Sequence, residues 1–156
     1  MVGPYEVDLK RLLAKFKFER QRAAARILAQ LLDDRLPYFK QKPLVTFVPT
    51  ATSRVRQRGY DHSRLLAEEL AKLRGWKCLR LLARAGQSRQ VGSLRRARKK
   101  QLAGAYRAIR KQLIKNQEIL IIDDISTTGA TLNETARVLR RAGARQVNAA
   151  LIARKL

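Results

Sequence analysis

Two adjacent carboxylates, Asp123 and Asp124, follow a run of four apolar residues in the stretch ILIIDDISTTGAT, residues 119–131. Carboxylates accept hydrogen bonds from the hydroxyls of a diol, and they hold a divalent cation through water. Small and hydroxyl-bearing residues come next, namely Ser126, Thr127, Thr128, Gly129, Ala130 and Thr131. Backbone N–H groups and hydroxyls gathered at the start of a helix bind phosphate. The stretch therefore predicts a site for a ligand that carries a ribose diol on one side and a phosphate on the other.

A turn followed by a helix cap is the simpler interpretation of these residues, since aspartate, serine and threonine are common in both. A turn needs neither two carboxylates nor several further hydroxyls. The nine residues DDISTTGAT, taken together, favour the ligand site.

The elements that would position this site are indicated on both sides of it. EILIID predicts a buried strand that ends at Ile122, and ATLNETARVLRRAG predicts a helix that begins near Ala130 and ends at Gly143. Between strand and helix, free backbone N–H groups from Ser126 to Thr131 would converge on one point.

The rest of the chain alternates helical and strand patterns. Residues 5–35 predict a helical segment, in one helix or two, and DHSRLLAEELAKLRG predicts a helix with Asp61 as its N-cap and Gly75 at its end. Short apolar runs predict further strands, in LVTFVP, WKCLRLL, AYRAI and QVNAALIAR. We therefore predict one α/β domain, residues 1–156, with a mainly parallel sheet flanked by helices and ligands bound beyond the carboxyl ends of its strands.

Charge is the unusual feature of the composition, with 35 Lys and Arg against 12 Asp and Glu and a formal net charge of +23. Between Glu69 and Glu118 there are 15 basic residues and no acidic one. A solvated basic surface is one explanation, and a nucleic acid or a heavily phosphorylated small molecule is the other.

The cysteine content and the length of the apolar runs exclude further classes of protein. Cys78 is the one cysteine in the chain and is expected as a small core residue, so we predict neither a disulfide nor a zinc site. The sequence has no apolar run long enough to span a membrane and no export signal, so we expect a cytoplasmic protein.

Residues 119–131 resemble the phosphoribosyl pyrophosphate (PRPP) loop of type I phosphoribosyltransferases. The chain as a whole resembles the ComF competence branch of that superfamily, through FVPTATSRVRQRGYDHSRLLAEELA, QVGSLRRARKKQLAGAY and the loop itself, in that order. Two departures stand out: the four-cysteine zinc module of many ComF proteins is missing, and the family pattern GFNQ is replaced by GYDH. The role of Tyr60 is therefore left open between stacking on a base and local packing, and that of His62 between a general base and a residue of the first helical turn.

The resemblance implies a role for each matching segment. Asp123 and Asp124 would hold the ribose hydroxyls together with Mg²⁺, and residues 126–131 would hold the 5′-phosphate. The pyrophosphate loop would be formed by Pro49, Thr50, Ala51, Thr52, Ser53 and Arg54. A flexible basic hood would lie at residues 87–104. Basic residues that would contact the leaving group or a nucleic acid are Arg54, Arg56, Arg58, Arg95, Arg96, Lys99 and Lys100.

Two functions follow from these implications. In the first, the chain binds PRPP or a related ribose phosphate with Mg²⁺ and acts in DNA uptake and natural transformation. Whether it also transfers the phosphoribosyl group to an acceptor is left open. In the second, it keeps the fold as a non-catalytic competence protein that binds nucleic acid, with single-stranded DNA or the DNA-uptake machinery as its partner. The acceptor and the oligomeric state are not indicated by the sequence.

Overall fold

The computed structural model describes residues 3–4, 23–85, 104–126 and 128–154. The predictions for residues 5–22, for the basic segment 87–103 and for Thr127 lie outside these residues. Within the described ranges, no helix combines the length and the apolar character needed to cross a bilayer.

Helices and strands alternate along most of the described chain. In chain order the elements are β1 (Gly3–Pro4), α1 (Ala23–Asp33), β2 (Leu44–Phe47), α2 (Thr52–Arg58), α3 (His62–Arg74), β3 (Leu82–Arg84), β4 (Tyr106–Ala108), α4 (Lys111–Ile114), β5 (Glu118–Ser126), α5 (Ala130–Arg141) and β6 (Gln146–Arg154). Four strands form a parallel sheet in the order β1, β6, β5, β2. This arrangement confirms the predicted α/β class.

The apolar run of β5 is buried because the central sheet is covered on both faces. Leu120 and Ile122 pack into the core on one face, while Ile119 and Ile121 pack into the core on the other. All four side chains are at most 1% exposed. A strand with two buried faces needs apolar residues at every position, which explains the unbroken run.

Helices α1 and α3 cover the first face. The side chains that α1 buries recur at helical spacing, in Ala24, Ala25, Leu28, Ala29 and Leu32. α3 adds Leu66 and Leu70 to the same core. Both predicted ends of α3 are confirmed: the Asp61 side chain caps the first turn, and Gly75 ends the helix with a left-handed φ of 60°.

Helix α5 and a second, two-stranded sheet cover the other face. β3 and β4 pair antiparallel in this small sheet, and Tyr106 of β4 is buried against Leu132 and Leu139 of α5 in one core. The predicted strand WKCLRLL is confirmed only in part. Cys78 forms one parallel bridge to Val45, after which the chain leaves the central sheet, because Leu81 and Leu82 are buried in the core on the second face.

Candidate functional site

Asp123 and Asp124 lie near the carboxyl end of β5, where the predicted site was expected. The strand does not end at Ile122, as the sequence suggested, but continues to Ser126, because it remains paired with β6 through Asp123↔Leu151 and Ser126↔Arg154. Pairing with β2 stops at Phe47↔Ile122. The two carboxylates therefore belong to the part of β5 that β2 no longer covers.

The carboxylate of Asp123 is fixed by two hydrogen bonds. Its Oδ1 accepts from the Ser63 hydroxyl at 3.0 Å and from the backbone N–H of Asp124 at 2.9 Å. Asp123 is only 8% exposed and Ser63 only 2%. A buried carboxylate with such donors is held in one orientation, as a residue that receives a ligand hydroxyl needs to be.

Asp124 is half-buried, and its carboxylate is hydrogen-bonded to the backbone of the next residue. Its Oδ1 accepts a hydrogen bond from the N–H of Ile125 at 2.6 Å. Each carboxylate thus accepts from the backbone N–H of the next residue, and Asp123 is held by Ser63 of α3 as well.

Of the residues predicted to bind phosphate, Ser126 ends β5, Thr128 and Gly129 precede α5, and Ala130 and Thr131 begin it. Gly129 is the N-cap with a left-handed φ of 72°, and the helix begins at Ala130 as predicted. Gly129 fits there because this backbone conformation costs a side-chain-bearing residue free energy. The Ala130 N–H donates a hydrogen bond to the Thr128 hydroxyl at 3.4 Å.

The predicted pyrophosphate loop divides into a loop and a helix. Pro49, Thr50 and Ala51 are loop residues that follow β2, whereas Thr52, Ser53 and Arg54 form the first turn of α2. α2 begins where the N–H of Val55 donates to the carbonyl of Ala51 at 3.1 Å. The short helix is ended by Gly59, whose φ is 87°.

Asp61 ties this loop to α3. Besides capping α3 through the N–H of Arg64 at 3.3 Å, its carboxylate accepts from the Thr50 N–H at 3.0 Å and from the Thr50 hydroxyl at 2.9 Å. The departure GYDH from the family pattern therefore supplies a carboxylate with a defined structural role. The sequence predicted the cap but gave no sign of the contact with Thr50.

Tyr60 and His62 pack against each other beside this junction. Their ring centroids are 4.7 Å apart with a tilt of 42°, and His62 is 1% exposed in the first turn of α3. Of the two roles left open, local packing is the one that this geometry favours.

The basic residues predicted as hood or nucleic-acid contacts are only partly within the described chain. Arg56 and Arg58 lie on α2, and the Arg56 side chain is exposed. The other four, Arg95, Arg96, Lys99 and Lys100, lie outside the described residues.

Glu134 is a buried acidic residue that the sequence gave no reason to single out. It lies on α5, is 7% exposed, and accepts hydrogen bonds from the Gly104 N–H at 3.0 Å and from Arg137 at 2.6 and 2.8 Å. The Arg137 hydrogen bonds and the Gly104 N–H hold the pKa of the Glu134 carboxyl below its ordinary value of 4.5, against the opposing effect of burial. Glu134 therefore anchors the chain at Gly104, just before β4, to α5, the helix that follows the acidic pair.

The acidic residues of the site fit a magnesium ion that is shared with a ligand. In the part of the chain that the structure describes, His, Cys, Asp and Glu side chains do not gather in threes as a protein-only metal cage would require. Mg²⁺ commonly uses one or two carboxylates, several waters and substrate phosphates instead. Asp123 and Asp124 can supply those carboxylates.

Comparison with known proteins agrees with this geometry. The model of the family described as "Phosphoribosyl transferase domain" matches residues 18–156. Among solved structures, glutamine PRPP amidotransferase from B. subtilis matches with a TM-score of 0.58 and 19% identity, covering 84% of this chain and 26% of that one. Adenine phosphoribosyltransferase from Thermoanaerobacter pseudethanolicus matches with a TM-score of 0.56 and 14% identity, covering 88% and 83%. These structures show the type I phosphoribosyltransferase fold.

Similarity to known relatives indicates to which branch of the phosphoribosyltransferase superfamily the chain belongs. DNA utilization protein YhgH of Salmonella typhi is 30% identical over 99% of this chain and 71% of its own length. Competence protein F of Haemophilus influenzae is 28% identical over 94% and 68%, and competence protein ComFC of Streptococcus pneumoniae is 28% identical over 92% and 62%. The chain thus spans about two thirds of the length of these relatives. It belongs to the phosphoribosyl transferase domain family, as a ComF-type member.

Proposed function

We propose that this protein binds PRPP or a related ribose phosphate together with Mg²⁺, and that it does so in the handling of DNA taken up by the cell. The observation that carries the ligand proposal is that the acidic pair, the start of α5 and the loop after β2 all lie near the carboxyl ends of β5 and β2, two neighbouring parallel strands. The link to DNA uptake rests on the names of the relatives, two of which are competence proteins and one a DNA utilization protein.

Each part of the site matches one part of such a ligand. Asp123 and Asp124 can accept hydrogen bonds from the ribose hydroxyls. The backbone N–H groups before α5, aided by the positive end of the helix dipole, can bind the 5′-phosphate. The loop that Asp61 holds at Thr50 is then available for the pyrophosphate.

Transfer chemistry at this site would need little from the protein besides charge. Mg²⁺, when bound, neutralises part of the negative charge of the pyrophosphate as it leaves C1 of the ribose. Basic side chains such as Arg56 can stabilise the same charge. No nucleophilic residue is required, so whether an acceptor is used depends on groups outside the ribose phosphate site.

The experiment is a calorimetric titration of the whole protein with PRPP and Mg²⁺. We expect Asp123→Asn with Asp124→Asn to abolish binding, because the two negative charges assigned to the ribose hydroxyls and Mg²⁺ are lost. The fold should remain, because asparagine keeps a side-chain oxygen that can accept from Ser63 and the backbone. The chain offers a matched control in its other pair of adjacent aspartates, Asp33 and Asp34 at the end of α1. Changing that pair to asparagine alters the net charge equally and should leave PRPP affinity unchanged. Undiminished affinity in the Asp123/Asp124 variant would contradict the proposed ribose contact.

A second candidate function, direct binding of single-stranded DNA, is favoured by the net charge of +23. Five exposed cations lie on or beside the small β3–β4 sheet and α4, namely Arg80, Arg107, Arg110, Lys111 and Lys115. The acid-free region between Glu69 and Glu118 includes all five, so no acidic neighbour in the sequence offsets them.

Salt dependence separates the two candidates. Affinity for single-stranded DNA should fall with a log–log slope of roughly −0.7 per phosphate contacted. Two fourfold alanine variants locate the contacts: one at Arg95, Arg96, Lys99 and Lys100, the other at Arg107, Arg110, Lys111 and Lys115. The set that touches DNA should flatten the slope, whereas a set that serves only PRPP should weaken PRPP binding at an unchanged slope. A parent protein that does not bind DNA at moderate salt would eliminate this candidate.

A further inference from the structure

The start of α3 contacts both halves of the proposed ligand site. Asp61, the N-cap, holds Thr50 in the loop after β2 through two hydrogen bonds of 3.0 and 2.9 Å. Ser63, two residues later, holds Asp123 at the end of β5 through a hydrogen bond of 3.0 Å. These contacts join residues that are 11 and 60 positions apart in the sequence.

The junction is built to hold a fixed geometry. Ser63 is 2% exposed and His62, between the two polar residues, is 1% exposed and packed against the Tyr60 ring. Asp61 also accepts from the Arg64 N–H, so its carboxylate is fixed to the helix backbone as well as to Thr50. A displacement of the first turn of α3 would therefore move Thr50 and Asp123 together.

We infer that Asp61 and Ser63 are positioning residues that set the separation of the pyrophosphate half and the ribose half of the site. This inference rests on the proposed function. Asp61 acts through Thr50 on the loop that faces the pyrophosphate, and Ser63 acts through Asp123 on the ribose. Neither needs to touch the ligand.

Because Asp61 and Ser63 act on different halves of the site, their variants should lose affinity for different ligands. Asp61→Ala should weaken binding of magnesium pyrophosphate by at least about tenfold, because two hydrogen bonds to a carboxylate no longer hold the loop. Its affinity for ribose 5-phosphate should change less than about threefold. Ser63→Ala should give the opposite pattern, and both variants should weaken PRPP binding.

Conservative variants keep the test independent of folding. Thr50→Val removes the hydroxyl bond to Asp61 but leaves the cap of α3, so it should reproduce part of the Asp61→Ala loss even if the alanine variant folds poorly. Combining the two should add little to Asp61→Ala, because both changes remove the same contact. Ser63→Thr keeps a hydroxyl and should restore ribose 5-phosphate affinity.

The control is a buried hydroxyl outside the junction. Thr46 of β2 is 0% exposed and accepts from the Leu81 N–H at 3.3 Å, so Thr46→Val lowers stability without touching either half of the site. It should leave the ratio of pyrophosphate to ribose 5-phosphate affinity unchanged.

The measurement is calorimetry of the full chain and its variants with PRPP, magnesium pyrophosphate and ribose 5-phosphate. If the parent binds PRPP but Asp61→Ala and Ser63→Ala lose the two smaller probes in equal proportion, the inference is overturned while the proposed function stands. If the parent binds none of the three, the proposed function fails, and the inference fails with it.

Discussion

Replacing Glu134 with glutamine should lower the stability of the protein by about 1–2 kcal/mol at neutral pH. Glu134 accepts from the Gly104 N–H and from two nitrogens of Arg137 while it is 7% exposed. Glutamine keeps one acceptor oxygen but loses the charge, and its amide nitrogen would face a donor of Arg137. Hydrogen bonds to charged groups contribute about 1.5–3 kcal/mol and neutral ones about 1, so the difference for one bond is about 0.5–2 kcal/mol, a range that includes the expected loss.

The effect should depend on pH in one direction. The pKa of the Glu134 carboxyl is lowered from 4.5, chiefly by the Arg137 hydrogen bonds. A carboxyl with a depressed folded-state pKa contributes stability that is fully present above 4.5, and this stability is lost as the pH falls through the folded-state pKa. Parent and variant should therefore differ most at neutral pH and converge in acid.

Urea unfolding of parent and variant at pH 7 and at successive lower pH values measures both predictions. In thermal unfolding the same difference corresponds to about 2–8 °C for a chain of this size. Glu68→Gln is the matched control, since Glu68 also pairs with an arginine on its own helix, at 2.7 Å from Arg64, but its side chain is 42% exposed. The control should change stability by less than about 0.5 kcal/mol. A Glu134→Gln variant as stable as the parent at every pH would refute the reasoning.

Three further predictions concern single positions. Gly129→Ala should lower stability by about 1–2 kcal/mol in thermal unfolding, because the backbone φ is 72° while the new Cβ would lie at an ordinary 3.9 Å from Asn133. Gly129→Asn should lower stability less. An equal loss in the two variants would mean that side-chain contacts, and not the backbone conformation, cause the loss. Cys78 should react with iodoacetamide at pH 8 at least about tenfold more slowly than an exposed thiol, since burial raises its pKa to about 12 and leaves little reactive thiolate. Rapid labelling of the folded protein, followed by mass spectrometry, would contradict this. Arg74→Lys should lower the unfolding temperature, because the Arg74 guanidinium donates to both the carboxylate and the carbonyl of Asp33 and lies over the Trp76 ring at 5.3 Å. Lysine has no planar guanidinium and cannot make these contacts together. An unchanged unfolding midpoint would show that a positive charge alone is enough.

The elements nearest the site could be predicted because their signals are local. Four consecutive apolar residues before Asp123 require a strand buried on both faces, and a left-handed residue before Ala130 requires glycine or a strained side chain. Asp61 and Gly75 mark the ends of α3 by hydrogen bonds that reach only a few residues. In each case the deciding interaction lies within one turn or one strand, so the local sequence contains it.

Some local predictions failed because distant residues decided the outcome. β5 runs on to Ser126 because β6, which follows α5 in the sequence, continues to pair with it. The predicted strand around Cys78 is reduced to one bridge because Leu81 and Leu82 are buried in a core formed with α5 and β4. Neither result can be read from a window of neighbouring residues.

The contacts that organise the site came only from the tertiary structure. The sequence by itself determined that two carboxylates, a loop rich in hydroxyl groups and an apolar strand occur together, since these residues are adjacent. It did not indicate that Ser63 holds Asp123, that Asp61 holds Thr50, or that Glu134 holds Gly104. Hydrogen bonds between residues 11 to 60 positions apart form only where the packed helices and strands bring the two residues together. The sequence around a serine or a glutamate is the same whether or not the folded chain places a partner beside it, so the local sequence cannot predict the bond.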